Sequence, residues 1–482
     1  MTNLISFKNF YKFSIIFIIL NAIFMYNEIY FFALIPFLLL IVMLTFFSIE
    51  KVVLLIVFFV PLSVPLSEFV GDIGIDIYMP TEPILFGIMI LFIIKILFEQ
   101  KFDKKILVHP ISIAIYFNLF WILFTSISST IPMVSFKFLL SRLWFVVVFY
   151  FLATQVFTKI NNINYFIWLY IIPFIIVIAY SLFRHSTFGL FNQEASNWVV
   201  RPFYNDHTSY GALIVMFIPL LFGFVFNKIY SSRTKFLIWV VIVIFFTALV
   251  FSYTRAAWLS LVGAIGVLTL VIFKIKFKYI LIVAGILIVF LISFSTEIFV
   301  ELEQNKQDSS EDIEEHIKSM SNIATDASNL ERINRWKCAL RMFAEKPILG
   351  WGPGTYMFNY APFQFSYEKT FISTNAGDMG NAHSEYIGPL AESGIFGSLS
   401  FLIIIFATIY TAIKTYKKLE NSGNKILLLT TLLGLITYYL HGFLNNFLDT
   451  DKASAPFWGF TAIIVAFDVY HNKNKESSNI EK

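Results

Sequence analysis

Long apolar runs recur along almost the whole chain, and they constrain its fold more than any other feature. A helix that crosses the hydrocarbon core of a bilayer needs about 20 predominantly apolar residues. By this criterion we count about fourteen runs, which lie near 10–26, 29–47, 51–68, 83–98, 110–127, 139–157, 164–183, 208–227, 236–253, 256–273, 279–296, 394–413, 425–446 and 455–470. The sequence therefore predicts an all-α polytopic membrane protein.

The composition agrees with a membrane protein and excludes some kinds of site. Of the 482 residues, 58% are hydrophobic and 14% are charged, whereas soluble domains have about 25% charged residues. The only cysteine is Cys338. A single cysteine excludes an intrachain disulfide and a zinc site built from several cysteines.

Basic residues in the short loops predict the orientation of the chain. Cytoplasmic loops of membrane proteins carry an excess of Lys and Arg. With about fourteen spans, the basic clusters all fall on one side of the membrane, from Lys8 and Lys12 at the start to Lys473 and Lys475 at the end. We therefore expect both termini to lie in the cytoplasm.

This topology divides the chain into four parts. The first is an N-terminal bundle of about eleven spans, and the others are a large extracytoplasmic loop, a C-terminal bundle of about three spans and a cytoplasmic tail. Their predicted bounds are 1–295, 296–385, 386–472 and 473–482.

The large loop has two different halves. The stretch 297–325 is acidic, and the sequence leaves its role open. The second half predicts an amphipathic helix, because apolar residues recur every three or four positions, at Leu330, Ile333, Trp336, Leu340 and Phe343. We expect this helix to end at Lys346-Pro347, before a glycine turn at 350–354. The turn lacks the Lys-Ser/Thr of a phosphate loop, so we interpret it as structural.

One histidine lies where the large loop meets the next predicted span. His383 belongs to the segment Asn381–Tyr386. A neutral imidazole at this boundary can accept a proton from a sugar hydroxyl. The alternative is a histidine that caps a helix or binds interfacial water. We predict a general base, which Glu385 or another carboxylate would orient.

Arginines on the predicted outer face are candidates for binding phosphate. Arg255 lies in a helical hairpin so short that its guanidinium must be at the membrane boundary, where ionisable residues are functional candidates. Guanidinium groups bind phosphate oxygens bidentately, so Arg201 and Arg255 could clamp a diphosphate. Snorkelling to lipid headgroups is the alternative for a single outer arginine. Arg332 and Arg335 share one side of the loop helix, which is either solvated or in contact with an anionic lipid-linked substrate.

These residues resemble the O-antigen ligase/polymerase superfamily of polytopic bacterial glycosyltransferases. The ligase pattern is His, then Asn, Ser or Gln, nine residues, Gly, two residues, and Gly, Thr or Tyr. Here it reads His383-Ser384, nine residues, Gly394, two residues, Gly397. The run Pro347–Gly354 and the preceding Arg332-x-x-Arg335-Trp336 also resemble the loop signature of the family, and the similarity covers about residues 195–410.

The resemblance implies transfer of a glycan from an undecaprenyl-diphosphate donor to an acceptor hydroxyl on the lipid A core or another glycan. The reaction would occur at the outer face of the bacterial inner membrane, without cofactor, metal or nucleotide sugar. Membrane lipids are then further partners, whereas no nucleic acid is expected. The site would consist of the base His383, the substrate-binding residues Arg201, Arg255, Arg332 and Arg335, and the supporting residues Ser384, Glu385, Tyr386, Gly394 and Gly397.

Several functions stay open at this point. The match at His383 favours a ligase, the number of spans would suit a polymerase, and a third kind of family member attaches glycan to protein. A lipid-glycan flippase or transporter is the alternative of another class. It predicts internal symmetry between halves and polar residues at the bilayer midplane, whereas here we find no such symmetry and the charges gather at one face. The sequence reveals neither the sugar, the acceptor nor the oligomeric state.

Overall fold

The structure is a computed structural model that describes residues 7–27, 32, 35–70, 77–99, 102–275, 327–369, 373 and 380–472. These residues are mostly helical, as the apolar runs predict. Their α-helices are Phe7–Tyr26, Ile35–Phe59, Ser67–Val70, Thr81–Glu99, Lys104–Leu107, Pro110–Ile127, Pro132–Val146, Ala153–Val156, Ile160–Phe188, Gln193–Val199, His207–Phe226, Ser232–Phe251, Arg255–Ile272, Ala327–Glu345, Tyr356–Asn359, Gly388–Lys418, Ser422–His441 and Asp451–Val469.

Short elements of other kinds connect these helices. A π-helical segment, Val147–Leu152, joins two α-helices into one continuous rod. The strands in the described residues, Val64–Pro65 and Tyr78–Met79, pair in antiparallel fashion. The 3₁₀ turns are Val60–Leu62, Ala361–Phe363 and Ser366–Glu368.

In the described part of the chain, 9 helices are long and apolar enough to cross a membrane. They are Thr81–Glu99, Pro110–Ile127, Pro132–Val156, Ile160–Phe188, His207–Phe226, Ser232–Phe251, Arg255–Ile272, Gly388–Lys418 and Ser422–His441. Each overlaps one of the predicted runs. The prediction of an all-α polytopic membrane protein is therefore confirmed, while the larger number of spans stays a prediction.

The remaining predicted runs have different outcomes. The run 279–296 and the acidic stretch 297–325 lie outside the described residues. The run 10–26 falls within the helix Phe7–Tyr26. The run 455–470 lies in the helix Asp451–Val469 except for its last residue, and this helix also carries charged residues.

The runs 29–47 and 51–68 correspond to two helices that meet at a kink. Together they form the element Ile35–Phe59, which leaves the helical conformation at Ser48, where φ is −158° and ψ is 65°. The predicted helical end at 68 is wrong, because the chain turns at Val60–Leu62, which contains Pro61. Proline lacks the amide hydrogen that a helix needs.

The structure forms two compact units, Met1–Leu55 and Ile56–Lys482. The second unit holds all the candidate site residues. Its helix His207–Phe226 is buried along most of its length and packs closely against Ser422–His441. A side chain at Gly223 would overlap Thr430, so a small residue allows the two helices to approach.

A buried ion pair fastens the last helix to the segment near residue 60. The Asp451 carboxylate accepts hydrogen bonds from the hydroxyls of Ser63 and Thr81, at 2.6 and 2.5 Å. The Lys452 ammonium donates to the carbonyls of Val60 and Ser63, at 3.1 and 2.8 Å. Buried charges require such partners, since an unpaired charge in an apolar interior is strongly destabilising.

Candidate functional site

His383 lies in a turn that its neighbours hold in place. Its backbone adopts φ of 45°, a left-handed conformation in which histidine occurs more often than most residues. Its amide donates to the Asn381 side chain at 2.8 Å. The Ser384 hydroxyl then accepts from the amides of Tyr386 and Ile387, both at 3.3 Å, just before the helix Gly388–Lys418 begins.

The Glu385 carboxylate holds a neighbouring loop rather than His383. Its Oε1 accepts hydrogen bonds from the Tyr438 hydroxyl at 2.8 Å and from the amides of Phe447 and Leu448 at 2.8 and 3.0 Å. The side chain is buried. We therefore infer a structural role for Glu385 in place of the orienting role that the sequence suggests.

Tyr386 fixes the same turn from another direction. Its hydroxyl donates to the Tyr439 carbonyl at 2.8 Å, and its ring stacks on Phe443 with 4.1 Å between centroids. The Ser398 hydroxyl donates to its carbonyl at 2.6 Å. Tyr386 thus supports the His383 turn by packing and by hydrogen bonds.

Gly394 lets the helix Gly388–Lys418 break where another segment approaches. Its φ is 67°, and a Cβ there would overlap the carbonyl of Ile348. The Ile395 amide turns outward and donates to the Pro347 carbonyl at 2.9 Å. This position therefore requires glycine for its backbone conformation and for its lack of a side chain.

The break also directs helix carbonyls toward the glycine turn. The Ala391 carbonyl accepts from the Trp351 amide at 3.0 Å, and the Glu392 carbonyl accepts from the Gly352 amide at 2.8 Å. The glycine turn is structural, as predicted, with positive φ at Gly350, Gly352 and Gly354.

Gly397 leaves room for neighbouring residues of the same helix. A Cβ at this position would overlap the Ser393 side chain and press on the Pro389 carbonyl. At both glycine positions of the His383 pattern, a larger residue would therefore overlap neighbouring atoms.

The predicted loop helix is present as Ala327–Glu345, and it ends where the sequence indicates. The side of this helix that is buried is not the apolar side that the sequence pattern predicts. Leu340 is 48% exposed, and the other apolar residues of the pattern are half-buried. The fully buried positions are instead Glu331, Asn334, Arg335, Cys338, Ala339 and Met342. Ion pairing makes this possible, because a charge that finds a partner can be buried.

Arg335 is at the centre of that buried face, so the solvated alternative for it is wrong. Its side chain is 4% exposed, and Nε donates to the Glu331 carboxylate at 2.7 Å. The guanidinium lies over the Tyr360 ring, with 4.1 Å from Cζ to the centroid. A side chain at Gly380 would overlap this guanidinium, so Arg335 packs directly against the segment that leads to His383.

Arg332, on the same helix, interacts electrostatically with residues of two other segments. Burial lowers the pKa of its guanidinium, and the negative charge of Asp206 opposes this effect. The charges of Arg332 and Arg255 also lie close enough to interact. Arg255 begins the helix Arg255–Ile272, so the structure brings together arginines that are far apart in sequence.

Asp206 caps a central helix and supplies the acidic charge of the site. Its Oδ1 accepts from the amides of Thr208 and Ser209 at 2.9 and 2.8 Å, at the start of His207–Phe226. Burial alone would raise the pKa of this carboxyl, but the His207 charge and these hydrogen bonds lower it overall. The carboxylate is therefore ionised at neutral pH.

These surroundings keep the His383 ring neutral. Burial, followed by the positive charges of Arg332 and Arg335, lowers the pKa of His383 to about 4, while Asp206 acts in the opposite direction. A neutral imidazole has a free lone pair and can accept a proton. We call His383, Asp206, Arg255, Arg332, Arg335 and the buried His441, whose ring also interacts with the charges of Arg332 and Asp206, the His383 cluster.

Comparison with known proteins identifies the part of the chain that contains this cluster. Residues 240–402 match a family model described as O-Antigen ligase. The chain carries an O-antigen ligase family domain. Proteins of this family are membrane enzymes that transfer lipid-linked glycans. No curated protein matches the chain significantly.

The O-antigen ligase domain contains most, but not all, of the His383 cluster. Arg255, Arg332, Arg335 and His383 lie within it, whereas Asp206 precedes it and His441 follows it. Sequence reasoning missed these last two residues. Asp206 directly precedes a predicted span, which is an N-cap signature. His441 is near the end of another span, and the boundary argument that selected His383 applies to it equally.

The structure does not place Arg201 in the His383 cluster. Its side chain is exposed, and Nε donates to the Asn205 carbonyl at 3.2 Å. Its own carbonyl accepts from the Arg184 guanidinium at 2.6 Å and from the Tyr180 hydroxyl at 3.1 Å. The pairing of Arg201 with Arg255 that the sequence suggests stays a prediction, and the structure adds an interaction between the charges of Arg332 and Arg255.

No metal-binding group is evident in the ranges that the structure describes. There, no three His, Cys, Asp or Glu side chains come together in a way that could hold an ion. Independence from metals stays a prediction.

Proposed function

We propose that this protein transfers a glycan from undecaprenyl diphosphate to an acceptor hydroxyl, with His383 as the general base. A neutral histidine surrounded by the charges of Arg332 and Arg335, with Arg255 beside Arg332, is the observation that carries the proposal. Such a site offers a proton acceptor and a place for the two phosphates of a lipid-linked donor.

The reaction follows from these positions. His383 takes the proton of the acceptor hydroxyl, and the oxygen attacks the anomeric carbon of the donor sugar. The bond from that carbon to the phosphate oxygen breaks, and undecaprenyl diphosphate leaves with the electron pair. Arg255, Arg332 and Arg335 stabilise the negative charge that grows on the leaving group. Attack opposite the leaving group inverts the anomeric centre.

Arg201 has a more peripheral part in this proposal. It is exposed and precedes Asp206 by one short turn of chain. We assign it a contact with the donor outside the His383 cluster. Ser384, Glu385, Tyr386, Gly394 and Gly397 act by holding the segments that carry the cluster.

We further propose that the chain crosses the bacterial inner membrane about fourteen times, with both termini in the cytoplasm and the His383 cluster on the periplasmic face. The distribution of Lys and Arg supports this orientation. Tyr367, which is 73% exposed, offers a test. A Tyr367→Cys variant made together with Cys338→Ala should react with a membrane-impermeant maleimide in intact cells. Labelling only after the inner membrane is opened would reverse the orientation.

Among the family activities, we favour a ligase that uses the lipid A core as acceptor. The complete His383 pattern supports this choice over a polymerase. The test is the glycolipid profile of cells that lack the protein and cells that express His383→Ala. A ligase predicts long polymer that accumulates on the undecaprenyl carrier and is lost from lipid A. Single repeat units on lipid A would indicate a polymerase instead.

The same profile also tests the more distant alternatives. An unchanged profile would point to glycosylation of protein or to another exported polysaccharide. A His383→Ala variant that still moves lipid-linked glycan across the membrane would indicate a flippase.

A further inference from the structure

A short hairpin near the start of the second unit contacts the segment that carries Arg201. Its strands are Val64–Pro65 and Tyr78–Met79. The Tyr78 hydroxyl donates a hydrogen bond to the side-chain oxygen of Asn205 at 2.8 Å, across 127 positions of the sequence. The backbone carbonyl of Asn205 accepts a hydrogen bond from Arg201 Nε at 3.2 Å. A single residue therefore joins the hairpin to the arginine.

Tyr78 is itself held in place from two directions. It is buried, and its amide donates to the Glu82 carboxylate at 3.2 Å. The Lys452 ammonium lies over its ring, with 4.9 Å from Nζ to the centroid, a distance at which a cation and an aromatic ring attract each other. Two backbone carbonyls near residue 60 hold this ammonium in turn. The Tyr78 hydroxyl therefore has a fixed position beside the Arg201 segment.

The contacts of Arg201 fix its backbone and one nitrogen of its side chain. Its carbonyl accepts from the Arg184 guanidinium and the Tyr180 hydroxyl, and Nε is bound to Asn205. Within the described ranges, Nη1 and Nη2 of this exposed side chain form no hydrogen bond or ion pair with protein. Such a pair of nitrogens can donate two parallel hydrogen bonds to one phosphate.

We propose that Tyr78 is a positioning residue for Arg201. Its hydroxyl holds Asn205, the residue to which the guanidinium is anchored, and Nη1 and Nη2 then bind a phosphate of the lipid-linked donor. An arginine side chain loses conformational freedom when it binds a ligand, so an arginine that is held beforehand binds more tightly. The inference rests on the proposed function, in which Arg201 contacts the donor. It adds a residue that precedes the family domain at 240–402.

Tyr78→Phe tests this contact, because it removes the hydroxyl and keeps the ring that faces Lys452. The assay uses a purified undecaprenyl-diphosphate oligosaccharide as donor and the lipid A core as acceptor. We expect the KM for the donor to rise about 3- to 10-fold, the factor that one hydrogen bond contributes. The kcat should change little, since a contact outside the His383 cluster stabilises the bound donor and the transition state alike. A donor KM equal to that of wild type would overturn the proposal.

Tyr150→Phe is a matched control. Tyr150 is also a buried tyrosine, and its hydroxyl lies 2.8 Å from the Ser112 hydroxyl. Both variants lose one hydroxyl contact with another side chain, so we expect similar decreases of Tm in detergent. Only Tyr78→Phe should raise the KM for the donor. An equal rise in both variants would show that Tyr78 acts only through general stability, and it would overturn the proposal.

Two double-mutant cycles test the route from Tyr78 through Asn205 to Arg201. Asn205→Ala removes the side chain that Tyr78 holds but keeps the backbone carbonyl, so it should raise the donor KM as Tyr78→Phe does, and the double variant should be no worse. Arg201→Ala should raise the donor KM further, and adding Tyr78→Phe to it should change nothing more. Multiplicative increases in either cycle, or a normal donor KM for Arg201→Ala, would overturn the inference. Failure of the proposed function is a different outcome, in which His383→Ala retains full transfer.

Discussion

Gly394→Ala should detach the glycine turn from the broken helix. An L-residue in the left-handed conformation costs about 1–2 kcal/mol, and the φ of Gly394 is 67°. The new Cβ would also overlap the Ile348 carbonyl, which forces the two segments apart. The hydrogen bonds at risk are Ile395 to Pro347, Trp351 to Ala391 and Gly352 to Glu392. At about 1 kcal/mol each, their loss brings the total destabilisation of this contact to about 4–5 kcal/mol.

Hydrogen exchange measures this contact directly. The amides of Trp351, Gly352 and Ile395 are protected only while the segments are joined, so 4 kcal/mol corresponds to exchange on the order of 1000-fold faster. Gly266→Ala is the control, because Gly266 is helical and nothing lies within 4 Å of its missing Cβ. That variant should gain up to about 1 kcal/mol from helix propensity and leave exchange near residue 350 unchanged.

Activity should follow the same contact. The glycine turn continues from the loop helix Ala327–Glu345, which carries Arg332 and Arg335, so its release disturbs the position of both charges relative to His383. We expect Gly394→Ala to lose transfer activity while Gly266→Ala keeps it. The reasoning is refuted if Gly394→Ala exchanges as slowly as Gly266→Ala at Trp351 and Gly352.

Three further outcomes follow from the site. A base works only when it is unprotonated, so kcat/KM should fall as the pH drops through the His383 pKa of about 4. The fall in kcat should occur at higher pH, because a bound diphosphate offsets the charges of the nearby arginines and raises the His383 pKa. If kcat and kcat/KM fell at the same pH, this reasoning would be contradicted. Arg335→Lys should lower kcat/KM by about tenfold, since the stacking on Tyr360 and the contact with Glu331 hold the guanidinium in place with about 1–2 kcal/mol. Activity equal to wild type would argue against a fixed guanidinium. Glu385→Ala leaves the amides that Glu385 binds without an acceptor, and it should lower the free energy of unfolding by about 3–5 kcal/mol. Glu385→Gln should lower it by about 1–2 kcal/mol, and the Tm in detergent measures both effects. Equal Tm values for the two variants would show that these hydrogen bonds contribute little.

The sequence predicts the helices well because hydropathy is a local property. Each of the described spanning helices overlaps an apolar run, and the loop helix Ala327–Glu345 ends before Pro347 as expected. The run 51–68 failed at Pro61, where local backbone chemistry outweighs hydropathy.

The grouping of the site residues was harder to predict, because it depends on contacts between distant segments. The sequence selected Arg332 and Arg335 but could not show that Arg335 is buried against Glu331 and Tyr360. It paired Arg201 with Arg255 from their predicted side of the membrane alone. Side of the membrane is a weak constraint on distance, and it did not reveal that the charges of Arg332 and Arg255 interact.

The pattern at His383 was recognised without its physical cause. The spacing to Gly394 and Gly397 is visible in the sequence, but the approach of the Ile348 carbonyl is visible only in three dimensions. Glu385 shows the same limit, since its position beside His383 suggested an orienting role and its carboxylate instead binds the amides of Phe447 and Leu448.

The wide spacing of the His383 cluster along the chain has a consequence for biosynthesis. Asp206 and Arg255 leave the ribosome well before Arg332 and His383, and His441 comes last. The part of the cluster that contains Asp206 and Arg255 therefore exists separately from the part that contains Arg332, Arg335 and His383, and the cluster is complete only once the helix Ser422–His441 has been made. A nascent chain stalled before this helix would contain the whole of the matched domain, residues 240–402, but not the complete His383 cluster.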